Sequence, residues 1–426
     1  MSISNSKISR RNFLIGSAAV TGGVAFGVYY VAKSPSNPLL KSLESGEAAI
    51  TPFIKITPSN ITFIVPRADV GQGIMSTQAN LIAEELDIDP TKVVLDPGQP
   101  HPAYVNAKIS SNSLPFQPLD KGFIPRTVRG LMEAVATLSG AQFTGGSSSV
   151  ADLHLKLRLA GAIARETLKK AAAIRFAARI EDLRTEDGKV ILPNGRSIDY
   201  TELAADAAKI EPVGDVDLRS RSQWRTLGKP YQRTDIIDKS TGKQMYGIDV
   251  QLPGLLYATV RTNPGRGGGV QSFNDEIAQS MKGVHSIVEI TDGLGVIANN
   301  TWRAMQAAQA LEVEWSNPDY PATTQEMWKV VEDAHIEENI NSRLRDDGDV
   351  EGVINQNELI EAEYRVPLLA HAALEPLNAT VLVEQDHITI WTATQVPTAI
   401  RDVAAKMTNL DKEQVTLKVL PAGGSF

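Results

Sequence analysis

Cysteine is missing from all 426 residues. Its absence excludes disulfides, thiolate nucleophiles, Cys-based zinc sites and iron–sulfur ligation on this polypeptide. Any electron-transfer cluster must therefore sit on another chain, and an oxidising compartment suits a protein without free thiols. Positive charge is scarce as well: 42 Lys and Arg stand against 50 Asp and Glu, a net charge of −8. With no dense basic stripe, long-range attraction for nucleic-acid phosphates is lacking, so nucleic acid is not an expected partner. Long apolar runs are missing too, apart from one uncharged stretch near the start, which rules out a polytopic membrane protein. What remains is globular in composition, 42% apolar and 22% charged, and long enough for roughly two or three domains.

The uncharged stretch covers residues 12–32, after Arg10 and Arg11 and before Lys33. A charged start followed by an apolar run is an export-signal pattern. The Arg pair with Phe13 and Leu14 behind it resembles the twin-arginine type, which exports folded proteins and predicts a periplasmic location. A membrane anchor is the alternative, and it would be the protein's one hold on the membrane.

Pattern then separates the blocks. Residues 34–51 read as a tether. Block one, 52–228, opens on an apolar run at 61–65, a strand, followed by Gly71-Gln72-Gly73. Met75, Ala79, Ile82, Ala83 and Leu86 then recur at helical spacing. Further on, residues 145–149, GGSSS, precede Leu153, Leu157, Ala160, Ala164, Leu168 and Ala171, one face of a long helix. A second helix is expected at 126–138. Block two, 229–318, is rich in short strands, with one helix at 302–311. Block three, 319–426, follows an acidic linker and shows two strands, at 380–383 and 388–392, and a helix from Thr398. The fold class is α+β.

Two glycine-bearing loops open helices. At Gly71, Gln72 and Gly73, a strand ends and a helix begins, so backbone N–H groups and the positive helix end could meet an anion. Ser76 stands where a third glycine would complete a dinucleotide fingerprint, and a tight turn with a helix cap explains the loop equally. At Gly146, Ser147, Ser148 and Ser149, flexible backbone and hydroxyls sit on a helix start. They suit a phosphate, or one serine serves as N-cap and the others are solvated. Gly265 to Gly269, with Arg266, reads as a surface loop rather than a third phosphate site. His371 and Glu375, four apart, make a poor metal pair, since a third ligand is missing and Pro376 ends any helix.

In this order, several strings resemble the isoquinoline 1-oxidoreductase branch of the xanthine oxidase/aldehyde oxidase family of molybdenum hydroxylases. They are residues 70–77 (VGQGIMST), 83–87 (AEELD), 144–150 (TGGSSSV), 157–162 (LRLAGA), 370–379 (AHAALEPLNA), 391–397 (WTATQVP) and 422–426 (AGGSF). The resemblance implies an α/β hammerhead domain at 229–318 between molybdopterin-binding segments. Gly71, Gln72, Gly73, Gly146, Ser147, Ser148 and Ser149 would hold a molybdopterin cytosine dinucleotide. Gly423, Gly424 and Phe426 would belong to the loop around molybdenum. Leu369 stands where many relatives carry a glutamine. The general-base glutamate is expected downstream of Phe426, so no catalytic residue is assigned here, and the chain alone is expected to be inactive.

The function so implied is oxidation of N-heterocycles or aldehydes with water as the oxygen source. Electrons would pass to a small [2Fe–2S] subunit and on to an acceptor such as a cytochrome. The competing reading is a non-catalytic fragment that binds cofactor or partner only. A flavin or nicotinamide oxidoreductase built on the Gly71 loop is more remote.

Overall fold

The computed structural model describes residues 36–426 except 113, 115, 117–119, 266, 340–347, 355–357, 425 and 426. The export leader, Arg266 and Phe426 therefore lie outside the described residues. The chain divides into two units, Met1–Val250 with Arg365–Phe426, and Gln251–Tyr364. Residues 229–250, read from sequence as the start of block two, fall in the first unit.

That unit opens with Ala48–Thr51 (β1), Ile54–Ile56 (β2) and Ile61–Ile64 (β3), antiparallel neighbours rich in β-branched residues. β1 is buried throughout, although it lies in the stretch read as a tether. From β3 the chain passes through helix α1, Ile74–Leu86, to Val94–Asp96 (β4), which pairs parallel to β3. A parallel pair needs such a crossover, and Gly71-Gln72-Gly73 lies at its start. Helix α2, Phe123–Ser139, buries only Pro125. Helix α3, Ser149–Phe176, packs along α1, and Gly161 permits the approach: a Cβ there would stand 2.4 Å from the Ile82 carbonyl oxygen. Leu153, Leu157 and Leu168 of α3 meet Ile82 and Leu86 of α1 and Ile54 and Phe63 of the sheet. Each such side chain contributes about 1.5–3 kcal/mol on burial. A small antiparallel sheet, Arg184–Glu186 (β5), Lys189–Ile191 (β6) and Ser197–Asp199 (β7), flanks this core.

The second unit contains Tyr257–Thr262 (β8), Val270–Asn274 (β9), Val284–Ile290 (β10) and Gly293–Ala298 (β11). Helix α4, Thr301–Ala310, strand Glu312–Trp315 (β12) and helix α5, Thr324–Ala334, follow. The sheet order β10-β11-β8 is antiparallel, with β12 paired to β9. Leu294, Val296, Ala307 and Leu311 form its core.

Back in the first unit come Ala379–Val383 (β13), Ile388–Thr392 (β14), helix α6 at Pro397–Thr408, and Val415–Val419 (β15). β13 pairs antiparallel to β14, and β15 pairs parallel to it after the α6 crossover. The third strand was absent from the sequence reading. Val415 and Leu417 are buried on one face while Thr416 and Lys418 are not, an alternation too short to stand out.

Candidate functional site

The Gly71 loop is shaped by a residue that its glycines do not advertise. Asp69, 3% exposed, accepts the N–H of Gly71 on Oδ1 at 3.0 Å and that of Met75 on Oδ2 at 3.2 Å. A carboxylate thus already occupies part of the α1 N-terminus, where it complements the helix dipole. Gly71 and Gly73 have φ of +101° and +83°, a left-handed region that side chains adopt at a cost. Gln72 turns inward on the loop: its Nε2 donates to the Ala68 carbonyl at 3.1 Å and its Oε1 accepts the Val70 N–H at 2.7 Å. Its amide is therefore engaged in holding the loop. The first-turn N–H groups of Gly73, Ile74 and Ser76 have no acceptor within the helix, as at any helix start.

Arg233 closes the loop from 162 residues along the chain. Its Nη1 donates to the Gly71 carbonyl at 3.1 Å, while Nε and Nη2 grip Asp235 at 2.9 and 2.6 Å. Arg233 and Lys239 also lie 3.7 and 3.5 Å from Asp69. Burial works to raise the Asp235 carboxyl, but Arg233 and Lys239 outweigh it and hold it well below the usual carboxylate range. Two cations face two carboxylates, so the loop offers directed N–H groups to an anion rather than net charge.

The serine run divides by exposure. Ser147 is exposed with φ of +52°, next to exposed Gly146 at +57°. Ser148 is fully buried: its Oγ donates to the Gly145 carbonyl at 2.6 Å and accepts from Asn106 Nδ2 at 2.7 Å. It occupies the N-cap position of α3 but makes no side-chain cap bond. Ser148 thus braces the loop from inside, and Ser147 and Ser149 are the hydroxyls left nearer the surface. Behind them Asp152, in the first turn of α3, pairs with Arg67 at 2.7 Å and accepts the Ala107 N–H at 3.1 Å. Arg67 also donates to the Tyr104 carbonyl at 2.7 Å, so a buried ion pair fixes both loop and helix start.

Three motifs far apart in sequence converge here. Ala68 N–H donates to Thr144 Oγ1 at 2.9 Å, and Thr144 and Gln395 exchange bonds at 2.9 and 2.7 Å. Ala422 N–H donates to the Asp69 carbonyl at 2.9 Å. Glu375 accepts the N–H of Gly423 on one oxygen, and that of Ile248 on the other at 3.1 Å. Gly423 has no room for a side chain, since a Cβ would stand 2.6 Å from the Glu375 Cβ. Between them opens a cavity of about 430 Å³ lined by Val70, Phe143, Gln395, Asn378, Ala422 and Gly424 among others. It lies beyond the carboxyl ends of β3, β14 and β15, where crossover helices begin and α/β units place ligands. Its size is ordinary for a ligand site.

Several expectations take a different form. His371 and Glu375 share no helix, and Glu375 is engaged by backbone N–H groups. Among the described residues no cluster of His, Asp or Glu could hold a metal. Sequence reasoning missed Asp69, Arg233, Asp235 and Lys239, and gave no role to Thr144 and Gln395 within the strings it singled out. Asp69, two residues before a glycine, carried an Asx-turn signal, whereas nothing local ties Arg233 to residue 71.

The molybdopterin cofactor-binding domain model matches residues 331–426. The beta chain of isoquinoline 1-oxidoreductase from Brevundimonas diminuta is 26% identical over 469 aligned positions, covering 99% of this chain and 56% of that protein. A nicotinate dehydrogenase subunit of Pseudomonas putida is 26% identical, covering 92% of this chain and 31% of its own length. A membrane-bound aldehyde dehydrogenase (pyrroloquinoline-quinone) of Gluconacetobacter polyoxogenes is 27% identical, with coverages of 98% and 52%. The chain spans about half the length, or less, of these relatives.

Proposed function

We propose that this chain is part of a molybdenum hydroxylase of the xanthine oxidase family, as the molybdopterin-binding match and the relatives support, and that the whole protein oxidises N-heterocycles or aldehydes. Its cofactor is a molybdopterin cytosine dinucleotide, its oxygen source is water, and its electrons pass to a small iron–sulfur subunit and then to an acceptor such as a cytochrome. The substrate class follows the names of relatives that act on isoquinoline, nicotinate and aldehyde. The absence of cysteine supports clusters on a partner. Residues 10–14 support twin-arginine export to the periplasm.

The observation that carries the reading is the hydrogen bonding of Asp69 to Ala422 and of Thr144 to Gln395, neighbours of the glycine loops, around one cavity lined by Val70, Phe143, Gln395 and Gly424 among others. The cavity itself offers the carboxamides of Asn378 and Gln395 and the Thr394 hydroxyl, and the starts of α1 and α3, with Ser147 and Ser149, follow a few residues after its lining residues Val70 and Phe143. They fit the phosphates and amide edges of a pterin dinucleotide without requiring net positive charge. The N–H groups at Gly73 and Ile74 and the start of α3, with Ser147 and Ser149, would bind the phosphates. Gly424 would let backbone approach the group closely, and Gly423 makes room for the Glu375 side chain that holds the loop. When bound, the group supplies two-electron redox chemistry. The chain's own part is to orient it and to keep the loops rigid through Asp69, Arg233 and the buried Arg67–Asp152 pair.

Production of the full protein with its small subunit, in a host that makes the cytosine dinucleotide, is expected to give a complex rich in molybdenum and iron. Acid hydrolysis of that complex should release CMP. An intact complex that purifies without molybdenum would remove the proposal.

A further inference from the structure

Helix α1 is buried on nearly every side, so each polar side chain along it needs a partner. Gln78 trades bonds with the backbone of Arg67, at 3.1 and 3.2 Å. Glu84 accepts the N–H groups of Arg225, Thr226 and Leu227, and Glu85 is gripped by Arg158. Asn80 is the exception: it is 1% exposed, and neither its Nδ2 nor its Oδ1 has a hydrogen-bond partner. Leaving both halves of a buried carboxamide unpaired costs free energy that a ligand would recover.

Asn80 lines a cleft of about 510 Å³ between α1 and residues 219–232. None of its lining residues belongs to the cavity at the three loops. Ala83, Ile88, Pro90 and the Tyr231 ring give it apolar walls. Its charged groups beside Asn80 are matched internally, Glu84 with Arg219 and Asp87 with Arg219 and Arg225; farther along the lining Asp187 pairs with Lys92, Glu186 with Arg184, and Asp89 accepts from Thr91. An ion would find no uncompensated partner at the Asn80 wall, so the fitting ligand is neutral. Tyr231 is 42% exposed and meets Thr77, which precedes Asn80 by one turn, through a single hydroxyl contact of 3.3 Å.

We propose that this cleft is a second binding site, for an uncharged planar heterocycle with a lactam edge. A carboxamide presents a donor and an acceptor side by side, the complement of adjacent C=O and N–H groups on a ring, as in bidentate reading of base edges by Asn. Asn80 Nδ2 donates to the ligand carbonyl and Oδ1 accepts from the ring N–H. Tyr231 swings from Thr77 to admit the ring and stacks on its face. The assignment stands apart from the redox reading and holds whether or not molybdenum is bound.

The test is calorimetry on the full chain with 2-pyridone, and with N-methyl-2-pyridone, which keeps the carbonyl and lacks the N–H. Saturable binding of 2-pyridone is expected, tighter than that of the methyl analogue by on the order of tenfold for one lost bond in a dry site. Asn80→Leu should abolish it while leaving Tm unchanged or raised, because no unpaired group remains. Tyr231→Ala, at a half-exposed position that carries no fold risk, should weaken it on the order of tenfold as well. The proposal is overturned by absence of saturable binding, by equal affinity for both probes, or by unchanged affinity in either variant. A lowered Tm for Asn80→Leu would also overturn it, since the carboxamide would then be satisfied within the fold.

Discussion

Adjacent residues with the same hydroxyl divide the labour at the α3 start. Ser148 is sealed, accepting from Asn106 and donating to Gly145, whereas Ser147 is exposed and strained at φ of +52°. Removing the buried hydroxyl leaves one Asn106 N–H facing apolar atoms. Ser148→Ala is therefore expected to destabilise the chain by about 1–3 kcal/mol in urea denaturation. Ser147→Ala should stay within about 0.5 kcal/mol of wild type, and its effect belongs in cofactor content instead. If the two stability costs came out in reverse order, Ser148 would not be the brace described. The sequence shows three serines in a row and cannot separate them, because the distinction rests on Asn106, more than forty residues away.

At the scale of elements, most of the fold is legible where periodicity runs long. The strand at 61–65, the helix on Leu153 to Ala171 and the 388–392 strand all lie where hydrophobic spacing places them. Short elements such as β1, β4 and β15 carry too few alternations to read. Helix α1 is a subtler case: its apolar stripe predicts one buried face, yet Gln78, Glu84 and Glu85 on other faces are buried too. The apolar spacing does not mark Glu84 and Glu85, because the residues that cover them, Arg158 and the 219–227 segment, lie far along the chain. The contact of α1 with α3 is set by Gly161, whose missing side chain lets the Ile82 carbonyl approach. In Gly161→Ala the new methyl would lie 2.4 Å from that backbone oxygen, so the helices must separate. A loss of about 1–3 kcal/mol is expected from such overpacking, partly offset by the helix propensity that Ala gains over Gly. Equilibrium denaturation of this variant giving no loss would mean that α1 and α3 are not locked at this point.

For the molecule as a whole, the strings of the site were legible and their convergence was not. Nothing local at Gly71, Thr144 or Gly423 says that they meet, since the contacts joining them span from 76 to roughly 350 residues. Those contacts tie residues 375–426 to the rest of the first unit. Arg401 donates to the Pro100 carbonyl, Gln99 and Leu417 exchange bonds at 3.0 and 2.9 Å, and Thr144 pairs with Gln395. The link just before them is different in kind. Residues 358–374 contain no helix or strand, and Tyr364, Leu368 and Leu369 are 89%, 89% and 81% exposed. An exposed stretch outside helix and strand is where a protease acts first, and these are side chains that chymotrypsin prefers. Brief chymotrypsin treatment should cut within 364–369 and give two bands on a denaturing gel. The same sample should elute as a single species in native size exclusion, because the severed C-terminal piece stays hydrogen-bonded into the first unit. Fragments that separate without denaturant would show that these bonds do not hold β13 to β15 in place. In that case the glycine loop at 423 would depend on chain continuity, and the cavity would lose its third wall on cleavage.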